Sequence, residues 1–139
     1  MAGGAYTYAR VPFGFWLKAV LHTVRNPYDK VGHFAQAFVP ALIAREVLVR
    51  GRYVRTRGML AFLVACVVLA ISACYELVEW LSAVLLGQGA DEFLGTQGDP
   101  FDTQSDMAFA LIGGIFGLVF FSRVQDRQIQ TLEERPTET

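Results

Sequence analysis

Apolar residues in this chain gather into three long runs and one short one, and the polar positions inside them are few enough to read singly. The short run, 11–24 (VPFGFWLKAVLHTV), sets Phe13, Trp16, Leu17, Val20, Leu21 and Val24 near helical spacing. It is too short to span a bilayer and predicts a helix lying in the membrane interface. Next comes Arg25-Asn26-Pro27-Tyr28-Asp29, a turn in which asparagine before proline leaves the helical region and Asp29 is placed to cap. The pattern then predicts a first span over 31–49. His33, Gln36, Pro40, Arg45 and Glu46 interrupt it, so it scores poorly as a lipid-facing helix. It should present one stripe to protein or water, with a kink at Pro40. The second span, 58–86, is nearly all apolar until Glu76 and Glu79. At ~1.5 Å per residue it exceeds a ~30 Å hydrocarbon core, so its far end must emerge or tilt. An acidic, Gly-rich loop over 87–103 leads to the third span, 104–122, where Gly113 and Gly117 form a small-xxx-small face for close helix packing.

This pattern predicts an all-α polytopic membrane bundle: three spans plus an N-terminal interfacial helix, in one membrane domain over 1–125. The charged tail, 126–139, is expected to be disordered. Composition agrees, with 53% hydrophobic and 18% charged residues, less charge than a soluble domain of this length carries. Net charge is −1, which makes no electrostatic case for nucleic-acid binding, and no nucleic-acid partner is expected. Charge placement says more. Arg45, Arg50, Arg52, Arg55 and Arg57 crowd one connection, which the positive-inside rule puts in the cytoplasm together with the tail. The acidic loop with Asp91, Glu92 and Asp99 then lies outside. Cys66 and Cys74, eight apart in one helical run, are too far from each other for a disulfide and read as lipid-facing or packed thiols.

With that topology three segments bring charge to one membrane level. Asp29 and His33 open the first span, Glu76 and Glu79 close the second, and Asp102 and Asp106 open the third. The i,i+4 and i,i+3 spacings put each pair on one helix face. Gln36 and Gln104 extend the stripes. Ionisable groups in such positions are costly unless paired, hydrated or bound to something. No lysine or arginine is placed by the sequence to neutralise them: Lys30 and Arg25 are expected at headgroups, and Arg45 near the opposite face. Asp29, His33, Glu76, Glu79, Asp102 and Asp106 are therefore the candidate catalytic residues. His33, Glu76, Glu79, Asp102 and Asp106 are the candidate ligands of a divalent cation, their mixed oxygen and nitrogen donors suiting Zn²⁺ or Mn²⁺. Two readings stand open. One is a site for a lipid headgroup or small molecule at the outer face, with metal-assisted or acid–base chemistry. The other is a non-catalytic subunit or ion-path protein whose polar stripes pack against partner helices or another copy. The bland account of the same residues is a polar rim of caps and solvated carboxylates, with Asp91, Glu92 and Asp99 in water and Arg45 and Glu46 snorkelling or in a structural ion pair.

The segments NPYDKVGHFAQAFVPALIARE (26–46), SACYELVEW (72–80) and FLGTQGDPFDTQSDM (93–107), with YTYARVP (6–12), closely resemble the YjdF-like family of bacterial inner-membrane proteins. More distantly, DKVGHF (29–34), the glutamates closing an apolar run, and Asp106 before Gly113 and Gly114 resemble the VanZ-like membrane proteins. The first resemblance implies a multi-pass protein of the bacterial inner membrane and nominates the acidic constellation, while supplying no substrate. It also implies further apolar helices upstream of the YTYA segment, so a chain starting at Met1 is expected to be a fragment, a truncated gene product or a short variant.

Overall fold

A computed structural model describes residues 10–86 and 99–134. Among them are four helices: α1 (Pro12–Leu21), α2 (Tyr28–Arg50), α3 (Arg57–Leu86) and α4 (Asp102–Glu133). Proline sits in the first turn of α1, where its missing N–H costs nothing. His22 ends the helix in the left-handed region at φ 52°. Asn26 then starts α2. Its side-chain oxygen accepts from the Tyr28 N–H at 3.0 Å, and its amide donates to the Val11 carbonyl at 3.3 Å. One buried side chain thus turns the chain and ties α1 to α2. The sequence assigned the cap to Asp29; Asp29 is instead buried in the first turn.

The bundle is built around α2. It packs most extensively on α4, and α3 leans on both. The close pairing of α2 with α4 rests on glycine. A Cβ on Gly113 would run into the backbone carbonyl of Phe34, and one on Gly117 would stand 3.3 Å from the Phe38 ring. Gly114 faces α3, where a Cβ would stand 3.1 Å from Val68. Two adjacent glycines therefore let α4 approach two different helices. Ala37, Ala41, Val64, Val68 and Ala110 fill the middle of the bundle with small, fully buried side chains.

Among the described residues two helical stretches, Arg57–Leu85 of α3 and Asp102–Leu132 of α4, are long and apolar enough to cross a membrane by length and composition. The expected count of three is corrected to two on this criterion, because Asp29, Lys30, His33, Gln36, Arg45 and Glu46 dilute α2. In the most apolar windows of α3 and α4 only 17% and 22% is buried inside the bundle, so most of that surface faces outward. Cys66 and Cys74 are exposed on α3.

The third predicted element also ends later than expected. α4 continues unbroken past residue 125 to Glu133, so 126–133 is helical and the proposed tail boundary falls inside a helix. Gln125 and Ile129, four apart, are buried on one face. Buried Arg45 donates to Gln125 Oε1 at 2.9 Å and pairs with Asp126 at 2.5 Å, while Gln125 donates to the Leu42 carbonyl at 2.7 Å. Arg45 is thus in a structural ion pair, with Asp126 as its partner; Glu46 pairs with Arg50 at 2.9 Å.

Candidate functional site

At the opposite end of the bundle, three helices direct polar groups inward. Asp29 and His33 lie on one face of α2, Glu76 and Glu79 on α3, and Asp102 and Asp106 on α4. His33 is 2% exposed and Asp106 likewise, deep burial for an imidazole and a carboxyl. His33 Nε2 stands 3.6 Å from Asp29 Oδ1, 3.6 Å from Glu76 Oε1 and 3.8 Å from Asp106 Oδ2. Each distance exceeds an ordinary hydrogen bond. Glu79 joins from the next turn of α3: one ligand atom from each of His33, Glu76 and Glu79 falls within a 4.8 Å set, as does a second set from Asp29, His33 and Asp106. Glu76 Oε1 and His33 Nδ1 are buried without a hydrogen-bond partner, as is Ser72 Oγ one turn before Glu76. The Tyr75 ring meets the His33 ring edge-on, with centroids 5.5 Å apart.

All six candidate residues reach this end of the bundle, but not equally. Asp102 is drawn away by a residue the sequence reading discounted. Lys30 Nζ lies 2.7 Å from Asp102 Oδ1 and 2.6 Å from Asp106 Oδ1. Lysine is thus the counter-charge for α4, where none was expected. Its signal was its place beside Asp29 at the level of the other acids. Arg25 pairs with Asp99 at 2.6 Å, so Asp99 is not merely solvated. Asp102 is not a cap; Asp99 Oδ1 accepts from the Phe101 N–H at 3.0 Å before the helix starts. Gln104 is exposed and does not extend the stripe. Asp91 and Glu92 lie outside the described residues. Asp29, Glu76, Glu79, Asp102 and Asp106 together offset one lysine and one imidazole, so carboxylate dominates.

A cavity of about 510 Å³ adjoins the cluster. Arg25, Asn26, Asp29, Lys30, Asp99 and Asp102 supply its polar wall, and Val24, Pro27 and Phe109 its apolar one. Asp29 and Lys30 belong to both cavity and cluster.

The described residues form a helical bundle with two outward-facing apolar helices long enough to cross a membrane and a polar cluster buried at one end, and the match to a membrane-protein family makes this a helical membrane protein. The chain belongs to the family described as predicted membrane protein (DUF2238), whose model matches residues 1–127. It is similar to inner membrane protein YjdF of Escherichia coli (strain K12), 62% identical over 130 residues that cover 94% of this chain. The chain spans 62% of that relative's length. The YjdF resemblance and the placement in a bacterial inner membrane thus hold; the VanZ-like resemblance is not shown by these matches. No solved structure matches.

Proposed function

We propose that this protein binds the polar group of a lipid or a similarly sized small molecule at the outer face of the membrane, in the cavity beside the His33 cluster. The carrying observation is a headgroup-sized cavity whose wall includes Asp29, which also faces buried His33, and Lys30, which also reaches buried Asp106. Cations and carboxylates both line it, which suits a headgroup bearing both signs. In this reading α2 crosses the membrane as a third, shielded span. Its buried residues recur at Asp29, His33, Ala37, Ala41 and Arg45, and a helix covered by neighbours tolerates polar groups that lipid would not. The arginines of 50–57 then mark the cytoplasmic side, and α1, with exposed Phe13 and Trp16, lies at the outer headgroup level.

The ion-path alternative fits less well. Between the His33 cluster and the Arg45–Asp126 pair, the bundle is filled by Ala37, Ala41, Val64, Val68 and Ala110. None of these five side chains can hand an ion along. Nor do the polar stripes need a partner helix to cover them, since His33, Asp106 and Arg45 are buried within the chain itself.

Native mass spectrometry from nanodiscs containing phosphatidylethanolamine or phosphatidylglycerol tests the proposal. The wild-type chain should retain a phospholipid that the Arg25→Gln/Lys30→Gln double variant loses, while Arg127→Gln at the other end keeps it. Equal retention by all three would overturn the cavity as the binding site.

A further inference from the structure

We infer that the His33 cluster is a divalent-cation site, with His33 and carboxylate oxygens of Glu76 and Glu79 as ligands, Asp29 and Asp106 in a second set around the same imidazole, and Lys30 holding Asp102 outside it. This deepens the headgroup reading, setting a metal behind the Asp29 side of that cavity, and rests on it for the site's role.

Three oxygens from three helices surround one nitrogen at 3.6–3.8 Å. A single imidazole N–H can satisfy one of them at most. Lys30 answers Asp102 and Asp106 through their Oδ1 atoms, leaving Asp106 Oδ2 turned to His33. Glu76 Oε1, on a side chain nine-tenths buried, has no hydrogen-bond partner and points at the same nitrogen. Unanswered buried carboxylate oxygens are costly. A cation held by His33, Glu76 and Glu79, whose ligand atoms lie within 4.8 Å of one another, answers Glu76 Oε1. Ligands about 2.0–2.2 Å from a zinc-sized ion stand roughly 3–3.5 Å from one another. The His33–Glu76 spacing of 3.6 Å is already close to that, and the set as a whole, within 4.8 Å, has to draw in by up to about 1–2 Å. One imidazole with hard oxygen donors suits Mn²⁺ or Zn²⁺ better than Ca²⁺, which prefers oxygen alone. Asp29 and Asp106, in the second set around His33, bring further negative charge beside the ion.

The test uses the full chain in nanodiscs, stripped with chelator and titrated with CoCl₂, whose visible absorption reports the coordination sphere. One Co²⁺ per chain should bind, with a rise in the thermal transition. His33→Ala should abolish the spectrum. Glu76→Gln, of unchanged size, should keep the helical circular dichroism and weaken Co²⁺ binding at least tenfold. Glu46→Gln, at the far end, should bind as wild type does. Failure of the folded wild-type chain to bind stoichiometric Co²⁺ overturns the inference, as does unchanged affinity in Glu76→Gln. Lipid retention by the stripped protein separates the two proposals. Retained lipid without metal binding removes the cation alone; metal binding without lipid loss in the Arg25→Gln/Lys30→Gln variant removes the headgroup reading alone.

Discussion

Adding one methyl group at Gly113 should disturb this fold more than the same methyl at Gly117 or Gly32. The Cβ of Gly113→Ala meets the Phe34 carbonyl and its neighbouring backbone atoms, at a distance no side-chain rotation can relieve. α2 and α4 must move apart, and their interface is the most extensive in the bundle. Overpacking of this kind costs about 1–3 kcal/mol. Alanine's better helix propensity offsets up to ~1 kcal/mol of that. The net expectation is destabilisation by about 1–2 kcal/mol, a drop of several degrees in the transition at ~2–4 °C per kcal/mol. Gly117→Ala meets the Phe38 ring at 3.3 Å, which can shift, so its loss should be smaller. Gly32→Ala, on α2 itself, meets nothing within 4 Å and should be neutral or stabilising. Thermal unfolding of all three in one detergent, followed by circular dichroism, gives the ranking. A Gly113→Ala protein as stable as Gly32→Ala would refute the close approach of α2 and α4.

Three further outcomes are expected. Arg45→Met should destabilise by about 1–3 kcal/mol, since charged hydrogen bonds to Gln125 and Asp126 are lost; Asp126→Asn, on the more exposed partner, should cost less in the same unfolding assay. Asn26→Ala removes both ties at the α1–α2 turn and should cost about 1–2 kcal/mol, with faster amide exchange in α1 measured by mass spectrometry. With Cys66 and Cys74 replaced by alanine, an impermeant maleimide should label Thr23→Cys in intact spheroplasts and Arg55→Cys only after permeabilisation; labelling of both from outside would reject the topology.

What could be read from the sequence alone was local. Asp29 and His33, or Glu76 and Glu79, share a helix face because the helical repeat is about 3.6 residues, whatever surrounds the helix. Likewise, the apolar runs of α3 and α4 mark membrane helices by length and composition, and Gly113 with Gly117 marks a close-packing face. Which group meets which across helices was not local. Lys30 bonds to residues 72 and 76 positions away, and Arg45 to residues 80 and 81 away. Such pairings depend on the rotation and axial offset of one helix against another, and those follow from packing at Gly113, Gly114, Ala41 and Val68. For the same reason the sequence placed Arg45 at the correct end without its partner Asp126, and set Lys30 among the headgroups although it reaches the acids. It could not show α4 continuing to Glu133 either. The charged stretch after Ser122 reads as solvated until α2 supplies Arg45 and a surface against which Gln125 and Ile129 are buried. The helical period fixed which face each charge occupies, and tertiary packing decided which charges answer one another.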